Sequence, residues 1–287
     1  MISVITPFYK GNKHLENYSK NLYAAINNLN CPYKVEIIFI NDSPEEEIDI
    51  SKLSLIQNQV KIITNKKNRG IHYSRIRGLK VAQGNYILFL DQDDLISKEF
   101  FNKTISKMSE CDIVVCNGHY EKKDYIEKIY RNSKTMNYIS DINCMAFYRN
   151  LIISPGQCLI KKTCIPTEWI NYTISINGAD DYLLWLLLLN NHNINWKFIF
   201  DPLYMHSYSG DNLSLDENKM RNSVLEMCEY LIENTKNPIF NNLKKNTIFK
   251  CKLKEVNLLN KIILLFLHPI IFIKNIYFRI IIRMVRL

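Results

Sequence analysis

At 287 residues, 47% of them apolar, the chain is long enough for one large domain or one domain with an appendage; its composition excludes a disordered, collagen-like or disulfide-rich protein. The net charge of +9 is unevenly placed: residues 1–235 come out at −1, whereas 236–287 hold 11 basic residues against the single acid Glu255. A near-neutral body with a basic end excludes a nucleic-acid binder with a basic face over its fold, and points to a tail that meets something anionic. The eight cysteines (31, 111, 116, 144, 158, 164, 228, 251) contain no C-x-x-C pair and several lie in apolar runs, so they read as reduced core residues of a cytosolic protein. The opening ISVITPFY is strand-like, so no secretory leader is expected.

Short Ile/Val-rich runs at Ile2–Thr6, Val35–Ile40, Val60–Ile63, Tyr86–Leu90 and Ile113–Cys116 predict buried strands. Between them, Leu15, Tyr18, Leu22, Tyr23, Ile26 and Leu29 fall at helical spacing, and further helices are expected over His72–Gln83 and Lys98–Met108, the latter with Ser97 as N-cap. Such alternation builds a mostly parallel, doubly wound sheet that binds ligands at the carboxyl ends of its strands. From Asn117 to Ile153 periodicity weakens, which predicts a loop-rich insert facing a substrate. A strand follows at 157–162, then a buried helix over Asp180–Asn190, a strand at Trp196–Phe200, a surface helix over Asp216–Glu233 and a break at Pro238.

The strongest chemical signal is LDQDD, which places Asp91, Asp93 and Asp94 directly after the apolar YILFL. Carboxylates this close repel one another unless a cation neutralises them, and such ligands suit Mg²⁺ or Mn²⁺ bridging to a diphosphate; a solvated acidic turn is the plain alternative. Asp42, after the second strand, stands at the mouth of the expected crevice or serves as a turn residue. Asn68, Gly70, Ser74 and Arg75 offer a Gly turn, a helix start and a cation suited to phosphate oxygens. The pair Asp180 and Asp181 opens the LLWLLLL helix, either as favourable charge on the helix dipole or with a general base among them. His206 is a structural histidine or, near a metal, a third ligand.

Together these motifs resemble the inverting glycosyltransferases of family 2, with the GT-A fold, over roughly residues 1–215. VITPFY resembles the family's opening strand and turn against the nucleotide base, which implies donor contacts from Thr6, Pro7, Phe8 and Tyr9. IFINDSP is similar to V-D-D-G-S, with Asp42 in the place of the uracil-reading carboxylate, although Asn41 and Pro44 depart from the pattern. NRGIHYSRIRGLKVAQGNYILFLDQDD matches the stretch that ends in D-x-D, with Ile76 replacing a usual Asn. The resemblance implies Asp93 as direct metal ligand, Asp91 nearer the ribose and within reach of the metal, Gln92 beside the donor, Asp180 in the family's Glu place and Asp181 as catalytic base. It implies a GT-A (nucleotide-diphospho-sugar) doubly wound mixed sheet flanked by helices, a Mn²⁺ or Mg²⁺ cofactor, a UDP-sugar donor and inversion at the anomeric carbon. The expected organisation is a catalytic domain over 1–215 (nucleotide-binding half 1–116, acceptor-side half 117–215), a helical extension over 216–257 and a basic tail over 258–287.

Ile262–Ile273 is too short to span a bilayer and is interrupted by His268 and Pro269. Arg279, Arg283 and Arg286 follow at i, i+4, i+7 among apolar residues, a pattern for a helix lying in the membrane interface; a helix docked on the body is the alternative. The membrane reading implies a glycan or polyprenyl-diphosphate-linked acceptor, with the protein on the cytoplasmic face of the plasma membrane. The competing functions are a sugar-1-phosphate nucleotidyltransferase, which would want a Gly-rich loop where ITPFYKGN has only Gly11, and a non-catalytic membrane-tethered sugar-binding scaffold.

Overall fold

Runs of β-branched residues flanked by helical repeats fold here as the patterning requires. The computed structural model describes residues 1–30, 32–122, 125–207 and 216–284. Cys31, residues 208–214 of the YMHSYSGDNLS stretch, the Arg283 side chain and Arg286 lie outside the described residues. In chain order the elements are β1 (Ile2–Phe8), α1 (Leu15–Asn27), β2 (Val35–Asn41), β3 (Val60–Thr64), α2 (Ile71–Val81), β4 (Tyr86–Phe89), β5 (Leu95–Ile96) and α3 (Phe100–Ile105). They continue as β6 (Ile113–Lys122), β7 (Tyr125–Lys128), α4 (Ser133–Met136), α5 (Ile142–Phe147), β8 (Cys158–Lys161), α6 (Thr167–Asn171), α7 (Asp180–Asn190) and β9 (Trp196–Ser207). The C-terminal helices are α8 (Glu217–Asn234), α9 (Ile239–Glu255), α10 (Leu258–Leu267) and α11 (Pro269–Met284).

The chain forms two compact units that interleave along the sequence. The first comprises Met1–Tyr130, Ile153–Thr173 and Asn191–Asn212 and holds one mixed sheet in the order β3-β2-β1-β4-β8-β6-β9-β5, with β7 paired to β6. β1 runs parallel to both β2 and β4, and β2 parallel to β3, so the carboxyl ends of these strands share one edge. β8 is antiparallel to both β4 and β6, and β9 runs parallel to β6. Ile5, Ile38, Phe39, Leu88 and Phe89 are fully buried in this core.

Two stretches are more regular than their sequence suggests. The expected loop-rich insert instead continues β6 to Lys122, pairs it with β7, and then forms α4 and α5. Periodicity misses this because Asn117, Gly118, His119 and Tyr120 are polar or small; Asn117 is buried, with its amide bonded to both backbone groups of Tyr130. The strand expected at Trp196–Phe200 runs on to Ser207 through a register shift opposite Asn117, where the chain bulges. Ser97 does not cap α3: the helix begins after Glu99, and the Ser97 hydroxyl accepts the Glu99 amide two residues on. Among the described residues every cysteine is a free thiol, most of them buried.

The second unit, Arg131–Ile152, Ile174–Asn190 and Leu213–Leu287, is helical. In α7, Leu183, Trp185, Leu186 and Leu188 are almost wholly buried, and the Tyr182 hydroxyl donates to the Met145 carbonyl at 2.6 Å. Gly178 precedes that helix at φ 143°, where a side chain would be strained and would strike Met220. No single described helix is long and apolar enough to cross a membrane; α10 and α11 meet at a 100° bend, where His268 and Pro269 interrupt the run. α11 buries Ile271, Phe278 and Ile282 within its own unit and leaves Ile270, Ile273 and Tyr277 exposed. α10 buries nothing, and its Leu258 and Phe266 are 75% and 82% exposed.

Candidate active site

The strand order carries the LDQDD loop to the carboxyl edge, one residue beyond the β4 ladder. Its three carboxylates have separate roles. Asp91 Oδ1 accepts from Arg75 Nη2 at 2.6 Å, and that guanidinium, rising from α2, is almost wholly buried. Asp94 is buried and saturated: the Tyr204 hydroxyl and Ser154 Oγ (3.2 Å) donate to Oδ2, while His206 Nδ1 (3.1 Å) and the Ser207 amide (3.3 Å) meet Oδ1. Asp93, lying between them, has a carboxyl pushed up to about 7 by burial and by the charges of Asp94 and Asp91. For His206, burial disfavours the charged ring, but the hydrogen bond and charge of Asp94 outweigh it and the net direction is up.

Asp94 is thus more than the acidic turn that the sequence alone allows. Tyr204 and His206 are two apart in β9 and so project from one face of the strand, the spacing that could have flagged Tyr204 in advance. The contact between His206 Nδ1 and Asp94 fixes the orientation of the ring, as a carboxylate beside a metal-binding histidine does. Among the described residues no three His, Cys, Asp or Glu side chains form a ready-made metal cage. Mg²⁺ seldom needs one, since one or two carboxylates plus substrate phosphates suffice. The donor set fits: Asp93 is a hard oxygen ligand whose raised proton affinity a cation would reverse.

The rim around this loop is built from β1 and α2. Gln92 clasps the Tyr9 backbone in both directions: its Oε1 accepts the Tyr9 amide at 2.9 Å and its Nε2 donates to the Tyr9 carbonyl at 3.0 Å. Gly11 leaves room for this, because a Cβ there would collide with the Gln92 side chain. The Tyr9 ring is 47% exposed, whereas Thr6, bonded to the Tyr18 hydroxyl, and Phe8, packed on Phe39, are buried beneath it. Pro7 is half-buried and Asn68 exposed.

The turn before α2 is held by a carboxylate from β2. Asp42, buried at the end of β2, accepts the amides of Arg69 (2.8 Å) and Gly70 (2.7 Å) as well as the Asn65 side chain (2.7 Å). Gly70, at φ 88°, makes the turn that presents its amide. The β2 carboxylate thus fixes the turn that leads into α2. Ser74 is buried within the same network through Asn65, at 3.2 Å.

In the second unit Asp180 and Asp181 occupy the first turn of α7, where a helix dipole favours negative charge. Asp180 is buried, and Asp181 is half-buried, with its Oδ2 3.4 Å from Asn150 Nδ2.

A sheet with parallel β1–β4 strands and an acidic loop just beyond the fourth of them has the architecture of the GT-A fold class. Residues 3–165 match the model of glycosyl transferase family 2, and the chain belongs to that family. It is 30% identical over 146 residues to an uncharacterized glycosyltransferase of Haemophilus influenzae, covering 49% of this chain and 56% of that protein. To UDP-Glc:alpha-D-GlcNAc-diphosphoundecaprenol beta-1,3-glucosyltransferase WfgD of Escherichia coli it is 24% identical, covering 68% of this chain and 72% of that one. The fold is that of S. aureus TarS 1–349 in complex with UDP-GlcNAc: TM-score 0.62, 16% identity, 86% of this chain and 71% of the other covered. The chain spans about half or less of the length of the first curated relatives that it matches.

Proposed function

We propose that the protein is a metal-dependent inverting glycosyltransferase that moves a sugar from a UDP-sugar to a hydroxyl of a lipid-linked glycan in bacterial polysaccharide assembly. The observation that carries this reading is the graded carboxylate loop: Asp91 tied to Arg75, Asp94 tied to Tyr204 and His206, and Asp93 between them with its proton affinity raised. Asp93, with Asp91 and His206, would hold Mn²⁺ or Mg²⁺, which supplies Lewis-acid stabilisation for a departing nucleotide. Arg75 adds positive charge through Asp91, and the Gln92 clasp sets the Tyr9 ring on the donor side. Asp181 is the base that takes the proton of the acceptor hydroxyl, a role suited to a half-buried carboxylate at a helix start. The donor class is supported by the UDP-GlcNAc complex of TarS and the acceptor class by the name of WfgD.

The exposed apolar faces of α10 and α11 support a further part of this reading, that the tail lies on a membrane surface. α11 also buries Ile271, Phe278 and Ile282, so in this reading only its outer face meets such a surface. The decisive experiment incubates the protein with a panel of UDP-sugars, Mn²⁺ and a synthetic polyprenyl-diphosphate sugar. Donor-specific release of UDP with extension of the lipid is the expected result. Absence of both with every donor would favour the non-catalytic scaffold.

A further inference from the structure

Two side chains from different strands converge on the turn that follows β1. The sheet order sets β1 between β2 and β4, so the loops that leave those strands flank the residues that leave β1. From the β4 side, Gln92 accepts the Tyr9 amide at 2.9 Å and donates to the Tyr9 carbonyl at 3.0 Å. From the β2 side, the buried Ser43 hydroxyl accepts the Lys10 amide at 3.1 Å. Neither anchor is loose. Ser43 donates to Asn41 Oδ1 through its amide (2.9 Å) and its hydroxyl (3.0 Å), and the Asn41 side chain in turn donates to the Glu46 carbonyl. Gln92 belongs to a loop fixed on one side by the Asp91–Arg75 pair and on the other by the bonds of Asp94.

The turn carries the mark of that hold. Among the described residues Lys10 is the single non-glycine residue at positive φ, 48°. That conformation crowds a Cβ against the backbone and persists only where the surroundings impose it. Gly11 is buried, and a Cβ there would collide with the Gln92 amide, so the clasp needs that position bare. An ordinary surface turn needs no such constraint; a turn that must present one side chain at a fixed place does. The side chain presented is the exposed Tyr9 ring, with the Lys10 ammonium 5.4 Å from its centre and 3.5 Å from Glu45 Oε1. A ring held in advance loses little freedom when a flat ligand packs on it.

We propose that Gln92 and Ser43 are positioning residues for the donor: they act through the Tyr9–Gly11 turn to hold the Tyr9 ring against the nucleotide base, and take no part in holding the diphosphate. The inference rests on the UDP-sugar reading above and divides it, since adjacent residues of LDQDD then serve different ends of the donor.

The test is calorimetric titration of the full chain with UDP and with inorganic pyrophosphate, each with Mg²⁺; pyrophosphate carries the charge and lacks the base. Gln92→Met keeps the length of the side chain and removes both hydrogen bonds. It should weaken UDP about tenfold, the size expected when backbone hydrogen bonds go unmade, and leave pyrophosphate affinity unchanged. Ser43→Ala should show a smaller loss of the same kind. Gly11→Ala keeps Gln92 but displaces its amide, so it should reproduce the split even if Gln92→Met fails to fold. In a Tyr9→Ala chain the base has already lost its ring, and adding Gln92→Met should weaken UDP no further. Equal loss of both ligands in Gln92→Met would make Gln92 a support for the acidic loop and overturn the inference. Parental UDP affinity in Gln92→Met or Gly11→Ala, or a further loss in the Tyr9→Ala background, would overturn it as well. If the parent does not bind UDP, the donor reading itself fails and the positioning role with it.

Discussion

The LDQDD loop of the first unit and the α10–α11 pair of the second are unfinished in opposite senses. At the loop, polar groups are packed until they satisfy one another: Asp94 takes four donors, Asp91 takes Arg75, and Asp93 is left with its carboxyl pushed up to about 7. At the helix pair, apolar side chains are left in the open, Phe266 at 82% exposure. A buried carboxylate among others calls for a cation, and an uncovered apolar face calls for an apolar medium. Both departures from a well-satisfied interior stand where the reading above places a ligand, which is where a fold is expected to give up stability.

Four substitutions test that contrast. Asp93→Ala should have the largest effect, lowering transfer about 10³-fold or more, as expected when a metal's charge stabilisation is lost. It should also abolish Mn²⁺-dependent thermal stabilisation by UDP while leaving the fold unchanged; a retained Mn²⁺ effect rejects the ligand assignment. Asp181→Asn should cost about 10²–10⁴-fold in transfer with UDP affinity retained, and transfer at the parental rate rejects the base. Asp94→Ala should instead lower stability, by about 3 kcal/mol, because it strands Tyr204 and His206. A urea midpoint that does not move would show that the network holds nothing together.

The smallest expected effect is a pH dependence at Lys250. Its ammonium is lowered from 10.5 to about 8 by burial and by Arg279 and Arg149, with Cys144 acting in the opposite sense. Between those two pH values the unfolded chain keeps a proton that the folded chain has released, so stability rises with pH across that window. Lys250→Met should flatten the parent's slope there. An unchanged slope would mean that the ammonium is solvated in the fold.

Much of this was legible in the residues themselves. The Ile/Val runs gave away β1, β2 and β4 because buried parallel strands are apolar on both faces; the run at Val60–Ile63 is also a strand, but β3 lies at the sheet edge and none of its residues is buried as the sequence suggested. LDQDD stood out because three acids after such a run are costly. The break at His268 and Pro269 was visible for a similarly local reason, since proline cannot continue a helix hydrogen-bond ladder. The continuation of β6 through Asn117 and Gly118 was not legible, because those residues are buried by partners 13 and 86 positions away, Tyr130 and Tyr204. Nor was the hold of Asp42 on the Arg69 and Gly70 amides, which depends on the parallel pairing of β2.

By itself the sequence determined which segments are strands and helices, where the acids fall along the chain, and that the basic charge collects at one end; composition and periodicity are local and survive without contacts. Only the tertiary structure decided that Asp91, Asp93 and Asp94 differ in kind, that Gln92 reaches the Tyr9 backbone, and which side of α11 stays uncovered. Those properties belong to side chains distant in sequence, whose proton affinity and exposure are set by the groups that folding brings beside them.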